Sequence, residues 1–321
     1  MLVGAVSALL VYAAVVAAGG LSDAYEQLRT ADGWWMFPAV VAISLRYVFL
    51  GMQLRRLRGE ADIDSTRVTV GVALVTFGLG GVLPASPAEG IALSVVELRR
   101  RGIPARQSGL MLAASQWVQF WSLIVVFAVD RVLVAALNQI RGLHTGWATA
   151  TSVLLLAIVV AAIVMTRRES VFRRLALATK WVPGQRRKSR DELMAEGVTI
   201  QHALVTSFGP VPNRLAVGLL TLSAIVLDAT VMWCALAATY GPITFEVVVL
   251  AYTVAMVVTW VPLLPSGLGL VEFVVPLVLH RFGVPVATGL AGVLLWRAVS
   301  LFLPALAGLG VYGTLRVRRN R

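Results

Sequence analysis

The chain reads as an all-α, polytopic integral membrane protein with about six full spans and two re-entrant helical hairpins in an inverted repeat. Three observations lead there. The 321 residues are 58% hydrophobic and only 14% charged, with a mean hydropathy of +0.83, a composition of multi-span helical membrane proteins rather than soluble domains. The basic residues cluster in short loops that can share one membrane face. Two broken apolar segments repeat at an offset of 181 residues.

A helix needs about 20 apolar residues to cross the roughly 30 Å hydrocarbon core. Segments of that kind are 2–20, 34–51, 108–137, 147–166, 214–240 and 286–312. The first resembles a signal peptide but has no basic n-region, so it is read as a span. Segments 68–83, 86–98, 246–262 and 267–280 are individually short. Each short pair is joined by a glycine- and proline-rich break: Gly78, Gly80, Gly81, Pro84, Pro87 and Gly90 in the first, Pro262, Pro265, Gly267 and Gly269 in the second. Proline removes a helix donor and clashes with the preceding turn, so each pair should bend.

The breaks correspond. Over 83–104 against 264–285 the identities are Leu83/Leu264, Pro84/Pro265, Leu98/Leu279, Arg100/Arg281, Gly102/Gly283 and Pro104/Pro285. Leucine matches are cheap in so apolar a chain; prolines, glycines and an arginine are not. Paired interruptions in corresponding halves of a membrane protein point to a transport site near the bilayer midplane.

Charge sets the orientation. Arg55, Arg56, Arg58 and Arg67 flank one loop and Arg99, Arg100, Arg101 and Arg106 another, while 167–190 carries nine Lys/Arg and Arg316, Arg318, Arg319 and Arg321 end the sequence. Segments 21–33, 138–146 and 241–245 are acidic or nearly uncharged. With the basic loops in the cytoplasm, both termini are cytoplasmic and each short pair enters and leaves on one side. The whole chain, 1–321, is then a single transmembrane domain, with repeat 1 over about 34–137, a basic cytoplasmic or interfacial loop over 167–200 and repeat 2 over about 214–312. Two full crossings per pair would keep the same parity. Half-length segments favour re-entrant hairpins, because irregular backbone at membrane depth must be buried in protein or line a watery cavity.

The net charge of +12 follows the positive-inside pattern, and no nucleic-acid partner is expected. Cys234 is the single cysteine, and His144, His202 and His280 are scattered. No metal site and no cofactor is expected.

Glu89, Glu97, Glu272, Arg46 and Arg297 fall at apparent membrane depth. Each costs on the order of 2.5–3.5 kcal/mol there and should have a partner or a cavity. A structural Arg297–Glu272 pair would suffice on its own. In the functional alternative Arg46 and Arg297 hold an anionic head group, since guanidinium matches phosphate bidentately, and Glu89 and Glu272 tune the site or carry protons. Asp228 either lines the same cavity or, the favoured reading, bonds a neighbouring Thr or Ser across the bundle, and Asp130 and Arg131 are expected to pair or snorkel. Trp34, Trp35, Trp147, Trp181 and Trp260 read as interface anchors. Val171, Phe172, Leu175, Ala178 and Trp181 recur at helical spacing among Arg173, Arg174 and Lys180, as in a helix lying in the interface.

The run Leu264-Pro265-Ser266-Gly267-Leu268-Gly269-Leu270-Val271-Glu272, then Gly283-Val284-Pro285, Leu294-Leu295-Trp296-Arg297, Pro304 and Gly308 resembles the C-terminal signature of one family. This is the lysylphosphatidylglycerol synthase transmembrane-region family, with its L-P-x-G-x-G-x-x-E … G-V … L-x-Y-R … P … G pattern. Pro84 to Glu89, with Leu98-Arg99-Arg100-Arg101-Gly102 behind it, is similar to the family's P-x-x-x-G-E … L-L-R-R-R-x-G segment. Ala88 stands at the glycine position. Ile91-Ala92-Leu93 and Gln116-Trp117-Val118-Gln119 stand where the family carries an arginine and an Arg…Asp element.

The resemblance implies a multi-pass protein of the bacterial cytoplasmic membrane, related to the lipid-flipping half of the aminoacyl-phosphatidylglycerol synthases. No synthase domain and no recognisable catalytic motif is seen, and G-x-x-x-x-G-K-[ST] does not occur; the chain is expected not to be an enzyme. The expected function is flippase- or scramblase-like movement of an anionic, aminoacylated or polyprenyl-linked lipid. The alternative is a membrane-embedded transferase or a non-catalytic subunit in lipid-linked sugar or cell-envelope assembly. The substrate-binding set is Arg297, Glu272, Glu89, Arg46, Pro265, Gly267, Gly269 and Pro84. Membrane lipids are the expected partners, with a homo-oligomer or an envelope-biosynthesis protein as a compatible one.

Overall fold

The computed structural model describes residues 20–57, 65–83, 88–140, 157, 168–178, 189–259 and 265–317. Every regular element among them is helical. Among the described residues four helices are long and apolar enough to cross a membrane: Gly33–Leu57, Ala105–Val134, Val211–Tyr240 and Val286–Gly313. They match four of the six expected spans. The other two, 2–20 and 147–166, lie outside the described residues but for Gly20 and Ala157. Leu215, Leu219 and Leu306 are more than 60% exposed, as side chains facing lipid would be.

The described residues fall into two compact units, one drawn from Met1–Met52, Ser65–Glu97 and Leu222–Arg321, the other from Gln53–Asp64 and Leu98–Thr221. In the first, α1 (Gly20–Arg29) packs Ala24 against Leu290 and Ala291. The side chain of Asp32 accepts from Trp34 N at 3.0 Å, capping a short turn that leads into α2 (Met36–Leu57). Trp35 packs edge-on against Trp233 at 5.2 Å between ring centroids.

The first short pair is α3 (Thr66–Val82) and α4 (Ala88–Arg100). They touch backbone to backbone: a Cβ added to Gly80 would lie 2.7 Å from Gly90 Cα, and one added to Gly90 would strike Thr76 O. Only glycines permit that approach. The Thr76 and Ser94 hydroxyls bond each other at 2.6 Å beside it. The second pair is α9 (Phe245–Thr259) and α10 (Leu270–His280), with a turn at Pro265–Gly267 leading into α10. All four half-length segments expected from sequence are therefore present as helices.

The last span is α11 (Val286–Arg297), a π-helical stretch Ala298–Phe302, and α12 (Leu303–Val317). Pro304 has no N–H to return to Ser300, which accounts for the widened turn before it. A matching π-helical stretch, Leu74–Leu79, lies in α3. α12 crosses it where Gly78 abuts Pro304 and Gly308 abuts Leu74.

In the second unit, α5 (Ala105–Ile140) is joined by α6 (Glu169–Ala178) and α7 (Arg190–Ser207), and by the first turns of α8 (Val211–Tyr240). Ser189 and Glu192 form a reciprocal capping box at the start of α7, a sequence signature of a helix start. A buried polar chain holds this unit: Ser115 donates to Gln53 Oε1 at 2.8 Å, and Gln53 Nε2 donates to Thr221 Oγ1 at 2.9 Å. Arg131 pairs with Asp130, as expected. Within 167–190 the structure describes a helix, α6, at Glu169–Ala178; residues 167 and 179–188, with Lys180 and Trp181, lie outside the described residues.

Candidate functional site

Two arginines and two carboxylates come together within the first unit, Arg297 and Asp228 buried and Arg46 and Glu272 partly so. Arg46 projects from α2, Asp228 from α8, Glu272 from α10 and Arg297 from the end of α11. Their formal charges cancel, which is what membrane depth demands of ionised side chains.

Glu272 and Arg297 are brought together by the second hairpin. The turn places Ser266 at φ 48°, Gly267 at φ 63° and Gly269 at φ 84°. With Gly269 in a conformation that a Cβ disfavours, α10 begins at Leu270 and Glu272 lies in its first turn. Glu272 Oε2 accepts from Gly269 N at 2.8 Å, and its carboxylate also benefits from the helix's free amide end. Oε1 is left for Arg297, whose Nε stands 3.2 Å away. That contact is ionic, because Nε is off the line of a hydrogen bond to any acceptor. The hydrogen bonds of Arg297 run from Nη2 to Ser266 O at 2.9 Å and Gly267 O at 3.5 Å. Arg297 thus clamps the turn by its carbonyls and α10 by its acid.

Arg46 and Asp228 form the second pair, Nη2 to Oδ2 at 3.4 Å. Tyr252 donates its hydroxyl to the same Oδ2 at 2.9 Å. The Arg46 guanidinium also lies over the Tyr47 ring, 5.2 Å from its centroid. The pairs connect through rings: Tyr252 meets Trp296 edge-on at 6.1 Å, and the Arg297 guanidinium lies 5.6 Å from the Trp296 centroid. Asp228 is also within Coulombic reach of Arg297. Arg46, Asp228, Tyr252, Trp296, Arg297 and Glu272 are therefore one continuous cluster drawn from five helices.

The cluster adjoins the point where the two hairpins meet. Ser266, whose carbonyl Arg297 holds, donates its hydroxyl to Gly81 O. Leu301, in the π-helical stretch after Arg297, packs against Gly81 as well.

Of the residues expected in the site, Arg46, Arg297, Glu272, Gly267 and Gly269 are in the cluster or bonded to it, and Pro265 opens the turn. Pro84 lies outside the described residues. Glu89 sits in the first turn of α4, and its buried Oε2 has no hydrogen-bond partner among the described residues. One expectation is corrected. Asp228 bonds Tyr252 and Arg46, not a Thr or Ser, because α9 and α2 present stronger donors to it. Sequence reasoning does not place Tyr252, Trp296 or Ser266 in the site. Trp296 is next to Arg297 in sequence, which is a usable signal; Tyr252 joins only through packing, and no local signal marks it.

What this arrangement can do chemically is offer two guanidinium groups, each held by an acid, to an anion. Guanidinium groups suit phosphate in that role. No curated protein matches the sequence. The family model for the lysylphosphatidylglycerol synthase TM region matches residues 1–308. The chain thus belongs to the lysylphosphatidylglycerol synthase TM region family, a membrane-associated and lipid-related family.

Proposed function

We propose that the chain is a lipid transporter of flippase or scramblase type, moving an anionic, aminoacylated or polyprenyl-linked lipid across the bacterial cytoplasmic membrane. The observation that carries this reading is the neutral Arg/acid cluster lying against the contact between the two hairpin tips. Charged side chains at membrane depth are costly and mark substrate pathways. Broken helices at the junction of repeats are where transporters build their sites.

In this reading the hairpins are re-entrant and oppositely directed, both termini are cytoplasmic, and the tips part to admit a head group. Arg46 and Arg297 receive its phosphate while Asp228 and Glu272 release them. The acyl or polyprenyl chain stays in the bilayer beside the exposed apolar faces. The protein makes and breaks no covalent bond, and its partners are lipids rather than nucleic acid.

The test is leaflet exchange. Purified protein in liposomes should speed the crossing of fluorescent phosphatidylglycerol or a polyprenyl phosphate lipid well above the rate in empty liposomes. Equal rates with every lipid tried would end this reading.

A further inference from the structure

Asp228 is 3% exposed, and its two oxygens are used unequally. Both donors converge on Oδ2: Tyr252 at 2.9 Å and Arg46 at 3.4 Å. Oδ1 is buried and accepts no hydrogen bond among the described residues. A buried carboxylate oxygen with an unused lone pair is costly, and it is also the place where a proton can bind without displacing a donor.

The partner is asymmetric too. The Arg46 side chain keeps 15% exposure against 4% for Asp228. A guanidinium has five N–H donors, and the 3.4 Å contact to Asp228 is longer than a tight charge-assisted bond of about 2.7–2.9 Å. Arg46 is therefore the less buried member of the pair, and Asp228 the more deeply buried one. The charged and titratable groups facing Asp228 are Arg46 and Tyr47 from α2, Tyr252 from α9 and Arg297 from α11, the last neutralised by Glu272.

We propose that Asp228 is a proton-binding site coupled to the head-group site: when a phosphate anion takes Arg46, Asp228 takes a proton on Oδ1. The proton comes from hydronium in the water that enters with the head group, and only an ionic contact is exchanged. The charges require this pairing. Anion alone would leave the neutral cluster at net −1 inside the membrane; anion plus proton leaves it neutral. Tyr252 keeps its bond to Oδ2 in both states, so the carboxyl group does not lose its position. One proton then accompanies each singly charged head group. A pH gradient becomes able to drive the lipid. This rests on the transport reading for its purpose, though not for its test.

The experiment measures proton uptake by the purified protein in weakly buffered detergent with a pH indicator, as short-chain phosphatidylglycerol is added. Phosphatidylcholine of the same chain length is the control, and inorganic phosphate replaces lipid in a third arm. About one proton per protein should be taken up with phosphatidylglycerol, less with phosphatidylcholine, and none in Asp228→Asn, while Glu26→Gln, at an exposed carboxylate outside the cluster, keeps the uptake. Uptake with inorganic phosphate as well would assign the site to phosphate in general; uptake with lipid alone would assign it to the lipid head group. Should Asp228→Asn fail to fold, Tyr252→Phe serves, because it removes the hydrogen bond to Asp228 Oδ2 and the dependence of uptake on pH should change. Absence of uptake in the unmodified protein, equal uptake in Asp228→Asn, or an unmoved pH profile in Tyr252→Phe would overturn the proposal. No leaflet exchange enters the measurement, so a protein that took up lipid and proton without moving lipid would refute transport alone.

Discussion

The hydroxyl of Ser266 donates to the backbone carbonyl of Gly81, 185 positions earlier in the sequence, and so fastens one hairpin tip to the other. Ser266 does this from φ 48° and ψ 25°, a left-handed conformation that costs a side-chain-bearing residue about 1–2 kcal/mol. Ser266→Ala loses the hydrogen bond and keeps the strain, whereas Ser266→Gly loses both. Thermal unfolding in detergent should show Ser266→Ala destabilised by about 1 kcal/mol, with Ser266→Gly at least as stable as the alanine variant. An alanine variant that melts above the glycine variant would show that the turn is not strained.

Arg297 and Glu272 depend on each other. Removing one partner of a buried pair typically costs about 3–5 kcal/mol, so Arg297→Met should unfold several degrees earlier. Glu272→Gln retains an oxygen for Gly269 N and loses only the charge. A double-mutant cycle on these two changes should give a coupling of roughly 1–3 kcal/mol. Strict additivity would mean that the pair contributes nothing as a pair.

The first hairpin depends on a glycine that cannot grow. A Cβ on Gly90 meets the Thr76 carbonyl, whereas one on Gly109 in α5 meets nothing within 4 Å. Gly90→Ala should therefore destabilise by about 1–3 kcal/mol, and Gly109→Ala should be neutral or stabilise by up to about 1 kcal/mol. Circular-dichroism melts of the two variants in one detergent would compare them directly. Equal effects would contradict the close crossing of α3 and α4.

The proposed inverted arrangement has a labelling consequence. Arg99 and Arg281 are exposed and stand just before Gly102 and Gly283, at the outer ends of α4 and the α10 hairpin. In a Cys234→Ala background, single cysteines at 99 and 281 should react with a membrane-impermeant thiol reagent from opposite faces of intact vesicles. Reaction from the same face would remove the symmetry between the hairpins.

Much of this was legible because membrane helices announce themselves. Four spans and all four short arms follow from apolar run length and from proline and glycine, whose effects on backbone are local. Arg297 with Glu272 was legible for a similar reason, since a charge amid apolar residues demands a partner. Asp228 gave the same signal, but its partner did not follow. Arg46 lies 182 positions away, and only the packing of α2, α8 and α9 decides that its guanidinium and the Tyr252 hydroxyl arrive before any Thr or Ser. The two π-helical stretches were hidden too, although Pro304 marks one of them, because a widened turn is set by what the helix packs against.

The parting of the hairpin tips is the most direct thing to measure. A Cβ added at Gly81 would stand 3.7 Å from Ser266 Oγ, which puts a cysteine at 81 within reach of a sulfur in place of that oxygen. The double variant Gly81→Cys/Ser266→Cys, made in Cys234→Ala, can be reconstituted and its leaflet exchange followed before oxidation, after oxidation and after reduction. If lipid crosses where the tips meet, oxidation should bring exchange down to the empty-liposome rate and reduction should restore it. Exchange that continues unchanged once the disulfide between positions 81 and 266 has fully formed would place the route elsewhere.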